Sequence, residues 1–294
     1  MLLAGSWRQR DRFNEFNIFL LIDIPNKNFS KISFFISGST SKCDRILISI
    51  NKKVPCMPQY ELREDNKKAV ISLGGSLINP GEIAVDFLKK FKVFIEKRVA
   101  EGWQFIVITG GGAPARQYIE GASAIMGKEI DKNDMDWLGI HATRFNAHLM
   151  RTIFRKIAQP VIITDPEKDF IDPEKAIVIG GGSEPGWSTD YVSTAVAARI
   201  NAPYVINLSN IKQAYTEDPK KNPNVKPIDN IKWVDFCKIV GDTWEPGLNT
   251  PFDPIASKLA KEKNITVLIV EGTNLENLEK LFKSEEFVGT VISN

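Results

Sequence analysis

The sequence predicts an α/β protein: a mostly parallel sheet covered by helices on both faces. Three observations carry that reading. From about Lys67 onward, short apolar runs alternate with stretches of helical periodicity. The short runs are apolar throughout rather than at every second position, as strands buried on both faces are. Three of them end directly in glycine clusters, the turn chemistry that passes a strand into a helix.

Taken in order, residues 69–73 (AVISL) are the first strand and run into Gly74-Gly75-Ser76. Ile83, Phe87, Leu88, Phe91 and Ile95 recur at helical spacing and predict a helix over 82–100. Residues 105–109 (FIVIT) form the second strand, closed by Gly110-Gly111-Gly112. Helical patterns follow around 114–126 and 137–157, then a short strand at 161–164. Residues 176–179 (AIVI) lead into Gly180-Gly181-Gly182, and a helix over about 189–200 precedes a strand at 204–208 (YVINL). A helix at 253–263, a strand at 265–270 (ITVLIV), a helix at 274–282 and a last strand at 287–292 complete the pattern. In such sheets ligands bind at the carboxyl ends of the strands.

Composition excludes several other classes. With 294 residues, 43% hydrophobic and 25% charged, the chain is neither disordered, collagen-like nor a coiled coil. A net charge of +2 does not argue for a nucleic-acid or membrane surface. Cys43, Cys56 and Cys237 are widely spaced, and only His141 and His148 are present, so a disulfide framework or a zinc site is not expected. A reducing, cytoplasmic compartment fits. No run reaches the roughly 18 apolar residues of a membrane span, and the start has no export-signal pattern.

Residues 1–56 differ from the rest, with nine Lys/Arg against four Asp/Glu where the remainder has 29 against 32. They are rich in Phe, Ile, Ser and Asn, and residues 32–36 and 46–50 read as short strands. Residues 1–66 are taken as an N-terminal extension of unknown role and 67–294 as the main domain. Two readings of the extension stay open: a segment upstream of a native start at Met57, or a small β-rich appendage or arm.

A glycine turn lets backbone N–H groups approach a phosphate without a Cβ in the way, and the following helix start adds donors and a favourable dipole. One such turn serves a tight bend as readily as a ligand. Three on one sheet suggest a polyphosphate, or two phosphorylated ligands facing each other. The P-loop pattern GxxxxGK[ST] is absent. Gly110 to Ala115 formally matches GxGxxA, with Glu129 and Asp131 beyond it. That fingerprint belongs to the first βαβ unit of its domain, and no strand ends near those acids.

The succession ISLGGSL, ITGGGAPAR, DWLGIHATRFNAHL, GGGSEPGWSTD, YTEDPKKNP and FDPIASKLA resembles the amino-acid kinase superfamily, and more narrowly the archaeal-type uridylate (UMP) kinases. The likeness spans about 67–293. It implies an αβα three-layer sandwich, ATP and UMP bound head to head, Mg²⁺, and transfer of the γ-phosphoryl group to UMP to give UDP in pyrimidine nucleotide biosynthesis. It also implies a cytoplasmic homo-oligomer, usually a hexamer.

The resemblance carries over position by position. Gly74, Gly75 and Ser76 match the turn that cradles the ATP β- and γ-phosphates, and Gly111 and Gly112 the turn close to the transferring group. Arg116, in the first turn of the following helix, can offer its forked guanidinium to phosphate. Asp136 matches the acid that binds the UMP ribose hydroxyls; on the residues alone it serves equally as a helix N-cap before Trp137. Arg144 is open between UMP and a neighbouring subunit. Gly182, Ser183, Glu184, Pro185, Gly186, Trp187, Ser188 and Thr189 match the loop around the uracil and UMP phosphate. Asp190 matches the central carboxylate that positions Mg²⁺; helix capping is the bland reading of Thr189 and Asp190. Ser209, Asn210, Tyr215 and Asp218 match the ATP side, and Asp253-Pro254 opens a helix near it.

Two expected lysines are absent. Ser72 stands two residues before the first glycine turn and Ala113 directly after the second cluster, while Ile211-Lys212-Gln213 replaces the family's Val-Asp-Gly. Lys212 and Lys258 are the candidate replacements. His141 reads as a packing or interface residue, and Lys220-Lys221 as a solvated turn. The competing functions are another amino-acid kinase with a different acceptor, and a nucleotide-binding or storage assembly with weak catalysis.

Overall fold

The computed structural model describes residues 6–11, 14–26, 29–37, 60–62, 65–217, 222, 224–241 and 250–294. The chain divides into two compact units, Met1–Cys56 and Met57–Asn294. In the first, β1 (Ser6–Asp11), β2 (Asn14–Asn26) and β3 (Phe29–Ser37) form an antiparallel sheet in that order, with a register shift between Asp23 and Asn26. The strand expected at 32–36 lies within β3; the one expected at 46–50 lies outside the described residues.

The second unit opens with β4 (Lys68–Leu73), the short α1 (Gly75–Ile78) and α2 (Val85–Ala100). Next come β5 (Gln104–Thr109), α3 (Gly112–Met126), a 3-10 turn (Gly127–Glu129) and α4 (Lys132–Ile153). β6 (Ile177–Gly180), α5 (Thr189–Arg199) and β7 (Tyr204–Ser209) follow. β8 (Ala214–Tyr215) and β9 (Pro227–Ile228) pair in a small antiparallel ribbon. The unit ends with β10 (Asn230–Lys232), α6 (Trp233–Val240), α7 (Pro254–Glu262), β11 (Thr266–Glu271), α8 (Leu275–Phe282) and β12 (Gly289–Ser293).

Seven strands make one sheet in the order β10-β12-β11-β7-β4-β5-β6. Every neighbouring pair is parallel except β11 with β12. Successive residues of a strand face opposite sides, and both sides are apolar here. Ile71, Leu73 and Phe105 pack on one side with Phe91 and Ile95 of α2, Met150 of α4 and Leu278 of α8. Val70, Ile106 and Ile108 pack on the other with Val192 and Val196 of α5, Phe236 of α6 and Ala260 of α7. The result is the expected αβα sandwich. Leu73 lies opposite both Thr109 and Leu208, and Ile108 opposite Gly180, so four strand ends meet along one rim.

Some boundaries differ from expectation. α4 begins at Lys132 rather than near 137, because Asp131 caps it by accepting from the Asp134 N–H at 2.8 Å. α3 begins at Gly112, two residues early. The strand expected at 161–164 is reduced to isolated bridges, Ala158 with Ile177 and Ile163 with Gly180. Pro160 between them has no N–H to give the ladder. α1 and α6 carried no expectation; four and eight residues are too short for a periodic signal. Among the described residues no helix is long and apolar enough to cross a membrane.

Candidate active site

The first two glycine corners interlock at the rim. Gly74 donates its N–H to the Leu208 carbonyl at 2.8 Å, Gly110 to Leu73 at 2.9 Å, and Ala113 to Asn79 at 2.9 Å. A Cβ on Gly75 would strike the amide nitrogen of Gly112 and lie 2.6 Å from the carbonyl carbon of Gly110. Gly112 itself has φ +69°, a conformation glycine adopts at little cost. Only bare backbone fits this crossing. No described residue accepts from the N–H groups of Gly75, Ser76, Gly111 or Gly112. Four unpaired donors on two crossed turns form a concavity for anionic oxygens.

Asp190 lies beside this crossing, in the first turn of α5. Its Oδ1 accepts from the Ser72 hydroxyl at 2.9 Å and from Asn207 Nδ2 at 3.4 Å, and its Oδ2 from the Asp253 N–H at 3.3 Å. The residue keeps a partial opening to solvent. Burial of its carboxyl group, reinforced by the nearby charge of Asp253, still lifts its pKa to about 6; the Ser72 and Asp253 donors oppose that rise. Asp253 is itself buried, and burial raises its pKa as well. It caps α7, accepting from the Ala256 N–H at 2.7 Å, with Pro254 opening the helix.

The third corner is bound to α4. Gly182 donates its N–H to Thr143 Oγ1 at 2.6 Å. Arg144 Nε and Nη2 donate to the carbonyls of Gly182 and Ser183 at 3.0 and 2.7 Å. Gly186 donates its N–H to Asp136 Oδ2 at 2.8 Å. Asp136 therefore does not cap α4, since it lies inside the helix and Asp131 has that role. Its carboxylate faces the loop. Arg144, left open above, holds loop carbonyls and stacks its guanidinium 5.9 Å from the Trp137 ring centre. Ser188 is the N-cap of α5, accepting from the Tyr191 N–H at 3.1 Å, so Thr189 and Asp190 are freed from capping.

The remaining candidates divide. Ser209 ends β7 against the first corner, where a Cβ on Gly74 would lie 3.5 Å from the Ser209 Cα. Asn210 is exposed and Tyr215 half-buried on β8. Arg116 is exposed, one turn into α3 rather than in its first turn, and has no ion pair with a described residue. Trp187 packs on Tyr191 with ring centres 4.8 Å apart, beside the core; Glu184 is exposed and Pro185 half-buried. Asp218 and Lys220-Lys221 lie outside the described residues. Lys258 lines a groove with Cys237, Lys261 and Asn294. Lys212 is exposed, as is His141, whose ring centre lies 6.1 Å from that of Trp137.

Sequence reasoning missed Asn146, Asn207, Thr109 and Thr143, all buried around the corners. Their signal was a polar residue on an otherwise apolar stripe or strand. A hollow of about 350 Å³ between α2 and α4 is lined by Ile83, Val85, Leu88, Leu149 and Ile153 together with Lys89 and Lys92, and none of the glycine corners contributes to it.

Among the described residues no group of three or more His, Cys, Asp or Glu side chains could enclose a metal. Mg²⁺ does not require one: it is commonly held by one or two carboxylates with phosphate oxygens and waters. Asp190, a carboxylate with no cationic partner among the described residues, fits that mode.

Comparison with known proteins shows the family. The model of the amino acid kinase family matches residues 67–271. A uridylate kinase of Pyrococcus abyssi is 34% identical over 209 residues, covering 69% of this chain and 89% of its own length. That of Methanospirillum hungatei is 32% identical over 226 residues, covering 76% and 94%. The crystal structure of uridylate kinase from Archaeoglobus fulgidus superimposes with a TM-score of 0.65 at 32% identity, covering 77% of this chain and all of that one.

Proposed function

The chain belongs to the amino acid kinase family, and on that footing we propose that it is a UMP kinase, moving the γ-phosphoryl group of ATP onto UMP to give UDP. The observation that carries this is the crossing of the two glycine corners, which leaves the Gly75, Ser76, Gly111 and Gly112 amides unpaired beside Asp190. Phosphoryl transfer asks mainly for in-line positioning and neutralised charge. Main-chain donors supply the second without rearranging during the reaction.

In this reading Gly74, Gly75, Ser76 and Gly112 take the ATP phosphates, with Ser209, Asn210 and Tyr215 toward the nucleoside. The Gly182–Thr189 loop takes UMP. Asp136 keeps Oδ1 for ribose hydroxyls while Oδ2 holds the loop at Gly186. Arg116, exposed and unpaired with described residues, supplies mobile positive charge at the transferring group. Asp190 would hold Mg²⁺, which when bound offsets charge on the phosphate oxygens. A cytoplasmic homo-oligomer, the hexamer implied by the family pattern, completes the proposal. Exposed Tyr118, Ile125 and Phe145 on α3 and α4 offer apolar surface for assembly.

The test is a coupled assay with ATP and Mg²⁺ and four acceptors: UMP, CMP, acetylglutamate and isopentenyl phosphate. UMP should be the preferred acceptor. Turnover of acetylglutamate or isopentenyl phosphate in its place would reject the assignment.

A further inference from the structure

Asn146 is a buried amide, 2% exposed, on the stripe of α4 that otherwise carries Ile140, Ala147 and Met150 into the protein. Its Nδ2 donates to two successive carbonyls, Gly110 at 2.8 Å and Gly111 at 3.2 Å. In a trans peptide the C=O and the N–H of the next residue point in opposite directions. Drawing the Gly110 and Gly111 carbonyls toward α4 therefore turns the Gly111 and Gly112 amides away from it. Those two amides have no acceptor among the described residues. Gly112 is also the first residue of the fifteen-residue α3, whose amino end favours negative charge at the same place.

We infer that Asn146 is a positioning residue of the phosphoryl-transfer site: by holding two carbonyls it aims the Gly111 and Gly112 amides at the terminal phosphates of the nucleoside triphosphate. It acts through backbone groups and does not touch the substrate. The inference rests on reading the glycine corners as the phosphate cradle.

The experiment compares binding of MgATP and of adenosine to wild type, Asn146→Ala and Asn146→Leu by calorimetry. The leucine variant fills the volume without a donor. Loss of oriented donors to a charged group should weaken MgATP about tenfold to a hundredfold, with adenosine binding changed less than about twofold and kcat lowered with KM for UMP preserved. Equal loss for both ligands would mean a structural role only, and no loss would end the proposal. Should both variants fail to fold, wild type labelled with ¹⁵N-glycine decides. The Gly111 and Gly112 amide signals should shift with MgATP and stay put with adenosine; unshifted signals overturn the inference. Wild type that binds no MgATP would instead bring down the reading of the corners beneath it.

Discussion

Ser72 on β4 gives its hydroxyl hydrogen to Asp190 on α5, 2.9 Å away and 118 residues further along the chain. A neutral donor thus stands where the superfamily pattern commonly has lysine. It orients the carboxylate without cancelling its charge, and in the proposed reading that charge serves a metal ion. Ser72→Ala should lower kcat for UDP formation about tenfold, the worth of one hydrogen bond to a charged group. Steady-state rates at saturating ATP and UMP check this, and an unchanged kcat would deny Ser72 any part in holding Asp190.

Burial and the charge of Asp253 keep the Asp190 carboxyl near 6. In the unfolded chain it would titrate near its ordinary value, about 3.9. Between those values the folded protein holds a proton that the unfolded chain has released, so this group's contribution to stability is present at low pH and lost as pH rises through about 6. Asp253, raised by burial, adds with the same sign. Asp190→Asn should therefore melt higher than nucleotide-free wild type at pH 7, the gap closing toward about pH 4. The same variant should lose most UDP formation. A variant less stable than wild type at pH 7 contradicts the assignment of Asp190 as a carboxylate held against its folding preference.

Gly75→Ala places a methyl group into the Gly112 amide and the Gly110 carbonyl. Both obstacles are backbone, so neither can swing aside. Destabilisation of about 1–3 kcal/mol is expected, together with loss of the thermal stabilisation that ATP confers on wild type. Melting curves with and without ATP read both effects.

Arg144→Met removes the two donors that fasten Gly182 and Ser183 while preserving much of the side chain's bulk. The loop then loses its preset shape. KM for UMP should rise about tenfold with KM for ATP nearly unchanged, since the ATP-side corners are held by other contacts. A rise confined to ATP would reverse the assignment of the two nucleotides to their sides.

Every candidate site residue lies within Met57–Asn294, a compact unit in its own right. Removing residues 1–56 should leave a protein that unfolds cooperatively and forms UDP within about twofold of full length, on the ordinary behaviour of independent domains. Insoluble or inactive protein would show that the amino-terminal segment supports the kinase unit.

The order of strands and helices, the burial of the sheet on both faces and the three glycine corners could all be read from the residues, because periodicity and turn chemistry are local. Asp190 was legible too, as the acid following a loop of matching pattern. What the tertiary structure alone decided is which groups meet. Ser72 and Asn207 reach Asp190 only because β4 and β7 are neighbours in the sheet. Asn146 reaches the second corner from 36 residues away, and Asp136 accepts from the Gly186 amide 50 residues further on instead of capping α4. Each contact joins residues whose separation along the chain carries no periodic signal, so it comes into being only when the strands take their places and bring the helices over the rim.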